Sequence, residues 1–347
     1  MALARSRAVR IVHSSAARYW LLGRLRRERR TLRLTLRLIH AASRLTLWAS
    51  SYDGLADRWF AFEECVSAVA AAAIRANVQA AEVVHARNRP LAELTAHEIA
   101  LRVLPSVVAL EKKAAAQALD LLGEALTRDP NQPLAAALAA WCHAQRVIYE
   151  FTSNPAEERD KALTLAREAV ANSSGDDALV LAVLGNAYNS IHDLETAKIM
   201  SDKAVMLDGG SSWAWGRSGW IEAYRGNAGH AIERLNIALS LNPADALAPS
   251  FQTGVGCALF QAGKYASAAQ WLERVVTERP SAVWAHRVLC PAYIHMGRKS
   301  EAARSLAALR ADHPDSTIAG VVSALPMTQD FLDRIADGLE SAGLGYS

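Results

Sequence analysis

Few residues in this 347-residue chain have the type and spacing for chemistry. His286 and Cys290 stand four apart, which sets two side chains on one helix face and could offer two ligands to a zinc ion. A zinc site needs more donors, and no second pair at ligand spacing completes it. The favoured reading is therefore a histidine on one surface of the helix beside a packed cysteine. Cys142 and His143 are adjacent and point to different faces. Glu63-Glu64 and Asp176-Asp177 suit helix starts and solvated surface, where acids complement the helix dipole. Neither G-x-x-x-x-G-K-[ST] nor G-x-G-x-x-G occurs, and "WGRSG" at 215–219 is not a G-x-S-x-G elbow. No catalytic constellation, metal site or cofactor site is expected.

What the sequence does offer is aromatic surface. "SSWAWGRSGW", residues 211–220, holds three tryptophans. On a helix at about 100° per residue, Trp213, Trp220 and Tyr224 fall within about 40° of one another, while Trp215 lies about 200° from Trp213, on the side of Gly219. Trp215 is thus expected in the core, and the other three form a stripe on the opposite side.

A regular repeat must position that stripe. Ala197 and Ala231 are 34 residues apart, as are Ala204 and Ala238, Ala268 and Ala302, and Pro280 and Pro314. Between Ala231 and Ala268 the interval is 37, which places three extra residues near "ADALAPS". Gly185, Gly219 and Gly256 each precede one of these alanines by twelve residues, and Pro130, Pro243, Pro280 and Pro314 close units. Small residues let two antiparallel helices cross closely, and a proline ends the second helix. This grammar resembles the tetratricopeptide repeat, in about six units at 99–130, 133–174, 178–209, 212–243, 249–280 and 283–314. The central four are clear and the first two degenerate. A last helix at 329–341 should cap the final unit's apolar face, as solenoids require.

The resemblance implies that the stripe side of each unit's first helix lines a concave groove. The same register adds Trp141, Phe260 and Trp284, with Asn186, Asn189, Arg287 and His295 nearby. Trp, Tyr and Arg dominate binding hot spots, so this face could hold a peptide or helix of a protein partner. Equally, the chain could fill it with its amino-terminal region, its capping helix or tight superhelical curvature. For a groove open to a partner, Trp220→Ala is expected to weaken partner capture and leave the helical fold largely intact.

Residues 19–48 change period. Leu32, Leu34, Leu36 and Leu38 alternate with Thr31, Arg33, Thr35 and Arg37, the pattern of a half-buried strand. A turn at "RRERR" should join it to a strand at 19–25, and a third short strand, 45–49, should follow. A long alanine-rich amphipathic helix is expected from 56 to 88, ended by Pro90. Positions Tyr19, Gly23, Arg26, Leu38, Ile39, Leu47, Trp48, Ala49, Tyr52 and Asp53 resemble a TolB-like α/β segment found in a bacterial family. Its members join a class III adenylate cyclase domain, or a winged-helix DNA-binding domain, to this segment and a tetratricopeptide array. "AAWCHAQR", "SGWIEAYRGNAGHAIE" and "DFLDRIADGLESAGL" fit the same family. Leu22 and His40 stand where the family shows acids, and Ser43-Arg44 replaces a Thr-Gly turn. With no cyclase or winged helix before Met1, the resemblance implies the non-catalytic back half of such a protein. That half would work in signal transduction with an upstream-encoded domain, and its incomplete sheet would have an open edge.

Charge and composition bound the remaining possibilities. Residues 1–48 hold twelve arginines, from Arg5, Arg7 and Arg10 to Arg44, against the single acid Glu28. The segment carries +11, and the overall +3 leaves −8 on the other 299 residues. The strand pattern argues against a transit peptide, and the arginines fit the solvated face of a small sheet. No aromatic stacking set accompanies them, so nucleic acid is not expected as a partner. Four well-separated cysteines without a C-x-x-C pair suit reduced thiols in a cytoplasmic protein. The longest apolar run, 65–74, is too short to span a bilayer, which takes about 20 residues. The expected organisation is mainly α: a partial α/β segment at 1–55, a linking helix and loop at 56–98, a tetratricopeptide-like α-solenoid at 99–315, and a capping helix and tail at 316–347.

Overall fold

The computed structural model describes residues 17–346, so Arg5, Arg7 and Arg10 lie outside the described residues. Three strands, β1 (Tyr19–Glu28), β2 (Thr31–His40) and β3 (Thr46–Leu55), form an antiparallel sheet in the order β1-β2-β3. The alternation in β2 sets its faces. Leu32, Leu34, Leu36 and Leu38 turn toward α1 (Trp59–Arg87), where they meet Phe62, Val66, Ala70, Ile74 and Val78 at successive four-residue steps. Register puts Arg24 and Arg26 opposite Thr35 and Arg33, on the other face with Arg37. Arg33 there grips Asp53 through two bonds, Nε–Oδ1 at 2.7 Å and Nη2–Oδ2 at 2.9 Å. The basic residues of the sheet are thus largely accounted for by its solvated face.

Three boundaries differ from expectation. β1 runs through most of "RRERR", because a two-residue turn suffices once Arg29 adopts φ 54°. β3 continues through "SYDG" to Leu55, its residues paired with β2. A short 3-10 turn at Ala56–Arg58 then delays the helix to Trp59.

Six helical hairpins follow: α2 (Ala96–Val108) with α3 (Lys112–Arg128), α4 (Pro133–Ile148) with α5 (Pro155–Asn172), α6 (Ala178–Ser190) with α7 (Leu194–Leu207), α8 (Ser212–Tyr224) with α9 (Ala228–Leu241), α10 (Ala248–Gln261) with α11 (Tyr265–Glu278), and α12 (His286–His295) with α13 (Lys299–Asp312). The short α14 (Ile318–Ala324) and α15 (Gln329–Ser341) complete the chain's helices. The fold is mainly α, a tetratricopeptide-like solenoid with a small antiparallel sheet before it.

The glycine crossings are where the repeat placed them. A Cβ on Gly219 would lie 2.6 Å from Leu235 Cγ and 3.0 Å from its backbone nitrogen, and one on Gly256 would lie 2.7 Å from Leu272 Cγ. The neighbour met is the residue sixteen positions on, not the alanine twelve on; those alanines pack fully buried beside the crossing. Caps close the helix starts. Thr95 and Glu98 form a reciprocal capping box, and Asp177 accepts from the amides of Leu179 and Val180.

The solenoid curves until its second and sixth units meet. Arg287 Nη1 donates to the Ile148 carbonyl at 2.7 Å, Phe151 stacks on His313 at 6.1 Å, and Arg159 reaches the Ser323 carbonyl at 3.1 Å. α15 does not extend the stack as another unit. Phe331, Ile335 and Leu339, all fully buried, face its packing side, which rests on α12, while Phe331 also meets Phe260 at the end of α10. On the outside, α1 is pinned by Arg75, whose Nε donates to Asp208 at 2.8 Å in the loop between α7 and α8. Among the described residues, no helix is long and apolar enough to cross a membrane.

Candidate functional site: a cavity inside the solenoid

First helices of five units point one face inward, and their side chains line a cavity of about 50 Å³. Of the nine residues expected on the groove, seven line it: Trp141 from α4, Asn186 and Asn189 from α6, Trp220 and Tyr224 from α8, Trp284 just before α12, and Arg287 on it. Phe260 and Trp213 do not. Phe260 lies at the far end of α10, fully buried in edge-to-face contact with Phe331 at 5.3 Å. Trp213 is half-buried with its ring 6.0 Å from that of Trp141. Trp215 is half-buried rather than core, because its indole nitrogen reaches out to the Gly209 carbonyl at 2.9 Å. His295 stacks on Tyr265 at 4.5 Å, outside the cavity lining.

The chain itself fills much of the groove. Leu325, Met327 and Phe331 of the C-terminal segment form part of its wall, and curvature brings Tyr149 to within 5.7 Å of the Trp284 ring. Capping segment and curvature are both used, and no described residue of the amino-terminal region lines it. Trp220 is consequently buried, stacked on Tyr224 at 5.2 Å and hydrogen-bonded to Ser250 at 3.2 Å. Trp220→Ala would leave a large void, so the substitution is structural rather than the mild surface change expected from sequence.

Two guanidiniums stand in the wall with different surroundings. Arg287 has Glu150 at 3.7 Å and lies over Tyr149. Arg217, 7% exposed, donates to the Asn186 side-chain oxygen and has no carboxylate in ion-pair range among the described residues. The carboxylate whose charge bears on it is Asp245, after the Tyr224 and Tyr149 hydroxyls, and its oxygens are taken by Ser212 and the Leu247 amide. Burial pushes the Arg217 pKa down and the hydroxyls of Tyr149 and Tyr224 up. The Cys257 thiol, also in the wall, is pushed up to about 12 by burial, which makes it an inert packing group.

Sequence reasoning missed Arg217, Gln145 and the closing residues Leu325, Met327 and Phe331. The signal for Arg217 was present: it stands four after Trp213 and three before Trp220, inside the same stripe. The paired residues considered for chemistry have other duties. His286 Nδ1 bonds Ser305 at 2.8 Å, His143 bonds Glu158 at 2.6 Å, and Cys142 and Cys290 are buried. Among the described residues, no cluster of three or more His, Cys, Asp or Glu is arranged to hold a metal ion.

Residues 259–325 match the family described as tetratricopeptide repeat. No curated protein matches the chain. Among solved structures, the APC/C hetero-tetramer Cut9–Hcn1 is similar at 16% identity and a TM-score of 0.48, over 70% of this chain. The chain spans only 42% of that structure's length. A tetratricopeptide repeat protein from Parabacteroides merdae gives 16% identity and a TM-score of 0.41, covering 72% of this chain and 94% of that one. PilF of Pseudomonas aeruginosa gives 20% identity and 0.41, covering 64% and 95%. At these scores none of the three carries an argument about function. The matched repeat region begins far beyond residues 19–53, so the cyclase, winged-helix and TolB-like resemblance gains no support from it.

Proposed function

We propose that this chain is a non-enzymatic protein-interaction scaffold that takes a helix of a partner protein onto the concave face of its solenoid. The observation that carries this reading is α15. It is itself a helix seated on α12, a first helix, with Phe331, Ile335 and Leu339 buried at four-residue spacing and Phe331 also meeting Phe260 at the end of α10. Helix-in-groove recognition uses such i, i+4, i+8 anchors, and a partner helix in that seat would complete the wall of Trp141, Trp220, Tyr224 and Trp284 as Phe331 now does. A partner helix with three large apolar residues at this spacing would compete with α15 for the same seat. The regulatory-half reading rests on the sequence resemblance alone, and no observation in the fold favours it.

A photocrosslinking residue placed at position 327, beside α15 in the cavity wall, tests the reading in cell extract. Position 206 on α7, which is 85% exposed, serves as the outer-face control. Capture of a protein from 327 and not from 206 is the expected result. Labelling confined to 206, or equal from both, counts against a concave-face partner.

A further inference from the structure

The cavity is more polar than packing alone would make it. Five of its lining residues each carry a buried polar atom without a hydrogen-bond partner: Arg217 Nε, Trp284 Nε1, Asn186 Nδ2, Gln145 Oε1 and Asn189 Oδ1. Each of these residues is more than nine-tenths buried. Leaving one such group unsatisfied costs about 1–3 kcal/mol, so five around one space imply that something fills it. Three of the five are donors, and one belongs to a guanidinium without an ion-pair partner among the described residues.

We infer that the cavity is a binding site for a small free carboxylate, gripped by Arg217 with Trp284 and Asn186, and bearing a hydrogen-bond donor beside the carboxylate to meet Gln145 and Asn189. Arg217 offers the planar, charged donor that matches a carboxylate. Trp284 adds an indole N–H and Asn186 an amide N–H, while the two acceptors select against an ion made only of acceptors. Size limits the ligand. At about 50 Å³ the cavity is smaller than the roughly 150 Å³ that holds a benzene ring, which restricts it to a few heavy atoms. Leu325, Met327 and Phe331 complete the wall, so a free small molecule fits better than a continuous peptide chain. The site rests on observations separate from the partner reading, although a partner that displaced α15 would also take Phe331 from its wall.

Glycolate is the probe, with acetate, acetamide and sodium chloride at matched ionic strength as controls, read by thermal shift and titration calorimetry on the full chain. Glycolate should raise the melting temperature saturably and bind more tightly than acetate. Acetamide and chloride should give no saturable effect. Trp284→Phe keeps the ring and removes one donor, and should weaken glycolate by about two- to tenfold, the worth of one hydrogen bond. Arg217→Met should abolish binding. If Arg217→Met does not fold, Trp284→Phe decides alone. A glycolate response no larger than that of chloride or acetamide means the cavity holds only water and overturns the inference. So does glycolate affinity that is unchanged in Trp284→Phe, or that survives in a folded Arg217→Met.

Discussion

At the residue scale, closeness of approach governs. Gly219 has no room for a methyl group, since the atom it would meet first belongs to a fully buried leucine and the next is backbone. Gly219→Ala is expected to destabilise the chain by about 1–3 kcal/mol, the usual cost of overpacking, seen as a lower denaturant midpoint. Adding Leu235→Ala should recover part of that loss, a coupling a double-mutant cycle would detect. Three histidines report burial in another way. His192, His286 and His313 are all held below their ordinary value of 6.5 by desolvation, with Arg287 adding to the effect at His313. The unfolded chain therefore takes up protons first. Their contribution to stability is fully present above about pH 6.5 and drains as pH falls through the folded values. Stability measured by denaturant should decline from pH 7 toward pH 5, and His286→Asn should flatten part of that slope. An unchanged slope in His286→Asn would show that His286 does not contribute.

At the element scale, amphipathic pattern decided existence and local detail decided ends. The alternation in β2 and the four-residue steps of α1 were legible because each faces one partner and water. The ends of β1 and β3 were not, because charged and turn-forming residues such as "RRERR" and "SYDG" can stay in a strand when the neighbouring strand still offers hydrogen bonds. α15 illustrates the limit from the other side. Its apolar positions announced a helix over the final unit, and it does pack on α12, but not that Phe331 would also reach Phe260 in the unit before. Phe331 is fully buried against Phe260, so Phe331→Ala is expected to cost about 3–5 kcal/mol and to loosen residues 326–345, read as lost hydrogen-exchange protection there. Protection lost evenly across the chain would instead show that α15 melts only with the whole.

At the scale of the whole molecule, the contact between the second and sixth units changes what kind of solenoid this is. An open array is close to a one-dimensional stack whose units can melt in turn. Here Arg287, Glu150, Phe151 and His313 tie units far apart in sequence, so unfolding of the array should be a single transition, coincident by probes near Trp141 and Trp284. Glu150→Ala removes the acid beside a buried guanidinium and is expected to cost about 1–3 kcal/mol, and to separate those two probes. The division between sequence and structure follows the range of the forces. By itself the sequence determined the hairpins, their stride and most of the aromatic stripe, Trp213 and Phe260 excepted. Those depend on contacts between residues at fixed short separations, where Gly185, Gly219 and Gly256 leave little choice. Only the tertiary structure decided that Phe260 of that face meets α15 and that most of the rest lines a shared cavity. Small rotations per unit add up over six units, and no single position in the chain records their sum.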